Sequence, residues 1–94
     1  MINCVNSIFK NYDYHNNLIK ESILNNHNDK DNAWIAIDNN VYSIRKDDIL
    51  LLDIFKGLYG KNVKDFILKI DIKRRILILN RLKDRQIGKM KDIF

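Results

Sequence analysis

At 94 residues, with 46% hydrophobic and 31% charged side chains, the chain fits one globular domain. It has little room for a second core and too much apolar content for disorder. A single cysteine, Cys4, excludes an intrachain disulfide and a cysteine zinc cluster and points to a reducing compartment. The net charge of +5 is uneven: residues 1–44 carry three Lys against five Asp and Glu, and residues 45–94 carry fourteen Lys and Arg against seven Asp. A basic second half suits an acidic protein surface, nucleic acid or anionic lipid.

Residues 1–17 are polar and Asn-rich, with Ile8, Phe9, Tyr12 and Tyr14 as packing points; they suit an extended arm or a first strand. The domain proper is expected over 18–94. Leu18 to Asn26 places Ile19, Ile23 and Leu24 at helical spacing, which predicts one short helix. Ala33–Ile37 and Val41–Ile44 are β-prone apolar runs around Asp38-Asn39-Asn40. Asp and Asn tolerate the positive φ of a tight turn, so a β-hairpin is predicted.

After Ile44 the period changes. Asp47 or Asp48 can cap a helix bearing Leu51, Ile54, Phe55 and Leu58 on one face, with Gly57 and Gly60 marking its end and the following turn. Asn62 can cap a second helix, with Val63, Phe66, Ile67 and Ile70 turned inward. A third is predicted from Ile72 to Lys83 with Ile72, Ile76, Leu79 and Leu82 inward, although Ile76–Leu79 also suits a strand. Gln86–Met90 reads as a short closing strand. The sum is an α+β fold with a small mixed sheet and several short helices. No apolar run approaches the ~18 residues of a membrane span, and no basic segment leads into an apolar run at the N-terminus, so a cytoplasmic location is expected.

The order of these elements, and the residues at their joints, resembles the cytochrome b5 family. The matching stretches are Lys20-Glu21-Ser22-Ile23-Leu24 leading to His27-Asn28, then Trp34-Ile35-Ala36-Ile37 and Asp38-Asn39-Asn40-Val41-Tyr42-Ser43-Ile44. Gly60-Lys61-Asn62-Val63-Lys64-Asp65-Phe66 and Ile87-Gly88-Lys89-Met90 complete the set. They look like that family's helix ending in His-Asn, its tryptophan strand, its Val-Tyr hairpin, its Gly-x-Asp-x-x-x-Phe helix start and its closing Ile-Gly-x-Leu strand. The resemblance covers about residues 18–90 and implies a cytochrome b5-like fold.

The departure is at the chemistry. In that family two axial histidines hold haem between helix pairs, one of them in a His-Pro-Gly-Gly loop after the Val-Tyr strand. Here Ile44 runs through Arg45-Lys46-Asp47-Asp48 directly into Ile49, with no proline, no Gly-Gly pair and no histidine after His27. The position of the second ligand falls at about Asp71–Arg75 and holds none either. His27 matches the family's structural His-Asn, and His15 lies in the arm; neither these nor Cys4, Met90 or a tyrosine maps to an axial position. The resemblance therefore implies a scaffold without haem, its vacated cleft lined by Leu51, Phe55, Leu58, Phe66, Ile76 and Leu79. The large side chains Ile49, Leu50, Leu51, Leu52, Phe55, Ile76, Ile78 and Leu79 are a surplus expected to close it into a dry core.

Nucleophile elbows, Gly-rich phosphate loops and metal-spaced histidines are absent from the sequence, so no enzyme is expected. Lys73, Arg74, Arg75, Arg81 and Arg85 form the expected partner-binding set, best suited to an acidic protein. Aromatic residues are not interleaved with them, which disfavours stacking on single-stranded bases. The expectation is a haem-free, non-enzymatic binding module. A divergent haem carrier or electron-transfer protein with substitute ligands, and a small-ligand binder using the vacated cleft, stand as alternatives.

Overall fold

A computed structural model describes residues 17–91. Chain order is β1 (Leu18–Ile19), α1 (Glu21–Asn26), β2 (Trp34–Ile37), β3 (Asn40–Ser43), α2 (Ile49–Ile54), α3 (Lys64–Leu68), α4 (Ile72–Leu82), a 3-10 turn over Lys83–Arg85, and β4 (Gln86–Met90). The architecture is α+β, as expected, with a four-stranded mixed sheet ordered β1-β4-β3-β2.

The predicted hairpin forms, with Trp34 opposite Ser43 and Ile37 opposite Asn40. Asp38, the first of its two central residues, has φ 54°, the left-handed conformation that short polar side chains accept most readily. Alternation then sends neighbouring side chains to opposite faces. Ile35 and Tyr42 join a large cluster with Leu51, Phe55, Val63, Ile67, Ile78 and Leu82, the side on which α2, α3 and α4 lie. Trp34, Ala36 and Val41 join a smaller one with Ile19 and Leu24, which α1 covers. Gly60–Val63 runs along the outer edge of β2: Gly60 N–H donates to the Trp34 carbonyl, Ala36 N–H to Lys61, and Val63 N–H to Ala36. That edge is therefore paired and not left open.

The start of the chain corrects one expectation. Leu18 and Ile19 are strand, paired in parallel with Lys89 and Met90, and the helix begins only at Glu21. A pairing partner at the other end of the chain outcompetes the local helical spacing. The proposed arm lies outside the described residues apart from Asn17. Asp48 caps α2 by accepting the Leu51 N–H at 3.2 Å, and Asp71 caps α4 by accepting that of Arg74 at 3.1 Å. Asn62 accepts the Lys64 N–H at 3.0 Å and donates to the Asp38 carbonyl at 3.1 Å, tying α3 to the hairpin turn.

Gly57 and Gly60 have φ of 82° and 77°, but they differ in space. A Cβ at Gly57 meets nothing within 4 Å, whereas one at Gly60 would lie 3.0 Å from the Leu24 carbonyl oxygen and 3.1 Å from that of Asn25. Gly57→Ala is expected to cost about 1–2 kcal/mol from the left-handed backbone alone. Gly60→Ala should cost clearly more, because backbone must also move. Urea denaturation of the two variants side by side checks this, and equal losses would contradict it.

Candidate functional site

The region that the sequence singles out lies where α2, α3 and α4 meet. α2 is amphipathic as predicted, and Leu51 and Phe55 are fully buried. Phe55 meets Phe66 of α3 edge-to-face at 5.8 Å between ring centroids, a favoured arrangement for the ring quadrupoles. Ile67 from α3, and Ile78 and Leu82 from α4, complete the same cluster, with Leu58 and Phe66 partly buried against it. Four of the six residues expected to line a cleft, Leu51, Phe55, Leu58 and Phe66, are thus brought together, and their side chains are in one continuous core.

Ile76 and Leu79 are not part of it. They are 55% and 37% exposed, and Ile72 is 65% exposed. Of the predicted inward face of α4 only Leu82 is buried; its companions on that side are Ile78 and the half-buried Arg75. Ile76–Leu79 is helix and not strand. Of the remaining surplus residues, Ile49 and Leu50 are exposed as well.

The five expected partner-binding cations also divide. Arg75 turns toward the core side and binds the C-terminal end of α3: its Nε donates to the Ile67 carbonyl at 3.2 Å, and its Nη2 donates to those of Leu68 and Ile70 at 3.0 Å each. Ile67 and Leu68 are in the last turn of α3, where carbonyls lack their i+4 amide partners; Ile67 also accepts the Ile70 N–H. Arg81 Nη2 lies 3.1 Å from the largely buried Asp48 carboxylate, linking α4 to the cap of α2. Arg85 is half-buried and lines a pocket of about 170 Å³ with Ser43, Arg45, Asp84, Gln86 and Ile87. Lys73 and Arg74 are exposed and form no ion pair with a described residue. Arg75 and Arg81 are therefore structural contacts first, and Lys73 and Arg74 are the cations left facing solvent on α4.

The geometry of the one described histidine does not suit an axial ligand. The His27 ring stacks on Trp34 with centroids 3.4 Å apart and planes 7° from parallel, and its Nδ1 lies 3.1 Å from the Asn32 carbonyl oxygen. His27 follows α1, on the side of the smaller cluster, while the space between α2, α3 and α4 is occupied by Leu51, Phe55, Ile67, Ile78 and Leu82. The residues present therefore do not fit a bis-histidine haem site.

Perturbed titrations are few among the described residues. Burial raises the pKa of the Tyr42 and Tyr59 hydroxyls, and the latter donates a hydrogen bond to the Leu52 carbonyl. The hydrogen bond and charge of Asp38, 2.9 Å away, raise that of Lys64. All three shifts hold the groups protonated at neutral pH, so none supplies a general base. Among the described residues no three His, Cys, Asp or Glu side chains gather as a metal site, and no helix is long and apolar enough to cross a membrane. A second pocket, of about 260 Å³, is lined by Glu21, Leu24, Asn25, Ala36, Lys61, Asn62 and Met90. It lies by α1 and β2, away from the α2–α4 space, and falls short of the ~300 Å³ at which small-molecule sites begin.

Two features escaped the sequence reading: the carbonyl-binding role of Arg75 and the outward face Ile72–Ile76–Leu79. The second had a signal, since Ile76-Leu77-Ile78-Leu79 offers an apolar residue in every direction around a helix and so leaves its phase open. No family model matches this chain, and no curated protein matches it.

Proposed function

We propose that the chain is a haem-free, non-enzymatic module on a cytochrome b5-like scaffold that docks an acidic protein through the basic side of α4. The scaffold reading is supported by the order of elements and by its joints: the His27-Asn28 end of α1, the Trp34 strand, the Val41-Tyr42 strand, Asn62 at the start of α3, and Ile87-Gly88 in the closing strand. The observation that carries the functional reading is the pairing of an apolar interior with an unneutralised exterior. The helices meet through Leu51, Phe55 and Leu82, whereas Lys73 and Arg74 face solvent on a helix that contains no Asp or Glu. Exposed like charges without internal partners raise the local potential and steer an acidic surface toward them.

Nuclear magnetic resonance tests the reading with isotope-labelled protein and a short polyglutamate peptide as probe. Backbone amide shifts are expected to centre on Lys73 and Arg74, to weaken steeply with added salt, and to vanish in Lys73→Glu/Arg74→Glu. Shifts scattered over all exposed lysines, or retained in the double variant, would contradict it. A DNA duplex of equal charge is the second probe; stronger, site-centred shifts with it would replace an acidic protein by nucleic acid.

A further inference from the structure

Ile72, Ile76 and Leu79 follow one another at i, i+4 and i+7, so on a helix of 100° per residue they fall within about 60° of one another. All three are exposed, and the core does not use them. On the solvent side the row is bounded by Lys73 and Asn80, and Lys83 follows at its end. The result is a ridge one side chain wide, apolar along its crest and cationic beside it.

We infer that this ridge is the docking track for an acidic amphipathic helix of a partner protein, an inference that rests on the proposed binding role and names its partner's form. Rows at i, i+4 and i+7 are what a second helix seats into its own grooves. Lys73 and Lys83 would then meet carboxylates beside the partner's apolar row. A second copy of this chain fits less well, because helices paired along this ridge would bring the Lys73 and Lys83 of one against the same cations of the other, with no Asp or Glu inside the helix to offset them. A lipid surface is also disfavoured. Insertion calls for a broad apolar face, and here Lys73 and Asn80 separate the row from the next exposed apolar residue, Leu77.

The probe is a fluorescein-labelled helical peptide of about 18 residues, long enough to hold helix in water, with leucines at i, i+4 and i+7 and glutamates beside them. Fluorescence anisotropy is expected to show saturable binding that weakens by about tenfold or more in Ile76→Glu, a fold-change set by losing one buried anchor. Leu77→Glu carries the same charge change at a site 59% exposed on another flank and is expected to leave binding nearly intact. Both variants should keep the parent melting curve, since neither residue is in a core cluster. Equal loss from the two variants, or equal binding of a scrambled peptide, overturns the inference. So does absence of saturable binding, preferential binding to phosphatidylcholine–phosphatidylserine vesicles, or a sedimenting dimer that Ile76→Glu dissociates. If Lys73→Glu/Arg74→Glu abolishes binding while Ile76→Glu is silent, the basic docking role stands and the apolar ridge falls. If neither variant matters, both fall.

Discussion

Phe55→Ala is expected to remove about 3–5 kcal/mol of stability, the usual cost of truncating a buried phenylalanine. Against a total of about 5–15 kcal/mol for a small domain, that leaves the variant largely unfolded or close to it. The reason lies in its position: Phe55 is fully buried, meets Phe66 edge-to-face, and belongs to the cluster that unites α2, α3, α4 and β2. Phe55→Leu keeps most of the volume and is expected to cost under about 1.5–2 kcal/mol. Urea denaturation checks both. A loss below about 1 kcal/mol for the alanine variant would mean that the helices enclose space and do not share a packed core.

Arg75→Met should cost about 2–4 kcal/mol, which is large for a residue that the sequence presents as one of three consecutive surface cations. The guanidinium donates to the carbonyls of Ile67, Leu68 and Ile70, and hydrogen bonds from a charged donor are worth about 1.5–3 kcal/mol in net stability. Methionine retains the apolar stem, so the loss reports on the donors. Arg75→Lys should recover only part of it, because an ammonium lacks the planar fork that reaches three acceptors. Arg74→Met, one position earlier and exposed, is expected to change stability by no more than about 0.5 kcal/mol. Equal effects at 74 and 75 would contradict the assigned role.

The hairpin, the caps and the closing strand were legible because each depends on neighbours in sequence. Asp38 supplies the left-handed turn residue, Asp48 and Asn62 accept N–H groups three and two positions on, and Gly57 and Gly60 end a helix and turn the chain. β1 was not legible, since Leu18 and Ile19 are strand only by virtue of Lys89 and Met90. The phase of α4 failed for a related reason. With Ile76–Leu79 apolar throughout, both Ile72–Ile76–Leu79 and Arg75–Ile78–Leu82 are allowed rows by periodicity. Arg75 holding the end of α3 and Arg81 beside Asp48 accompany the second. Charge counting likewise grouped five cations that tertiary contacts divide into structural and exposed.

The closed core and the exposed ridge are linked. Rotation of α4 that puts Ile78 and Leu82 inside, against Leu51 and Phe55, is the same rotation that puts Ile72, Ile76 and Leu79 outside. In that orientation Arg75 donates to the carbonyls of Ile67, Leu68 and Ile70. The claim most exposed to test is therefore that the α2–α4 space holds side chains and leaves no place for haem. An absorption titration of the purified protein with haemin, oxidised and reduced, tests it directly beside a bis-histidine control. The account predicts only the broad spectrum of free or loosely adsorbed haem, without saturation. A saturable one-to-one Soret shift with sharp reduced α and β bands would contradict it.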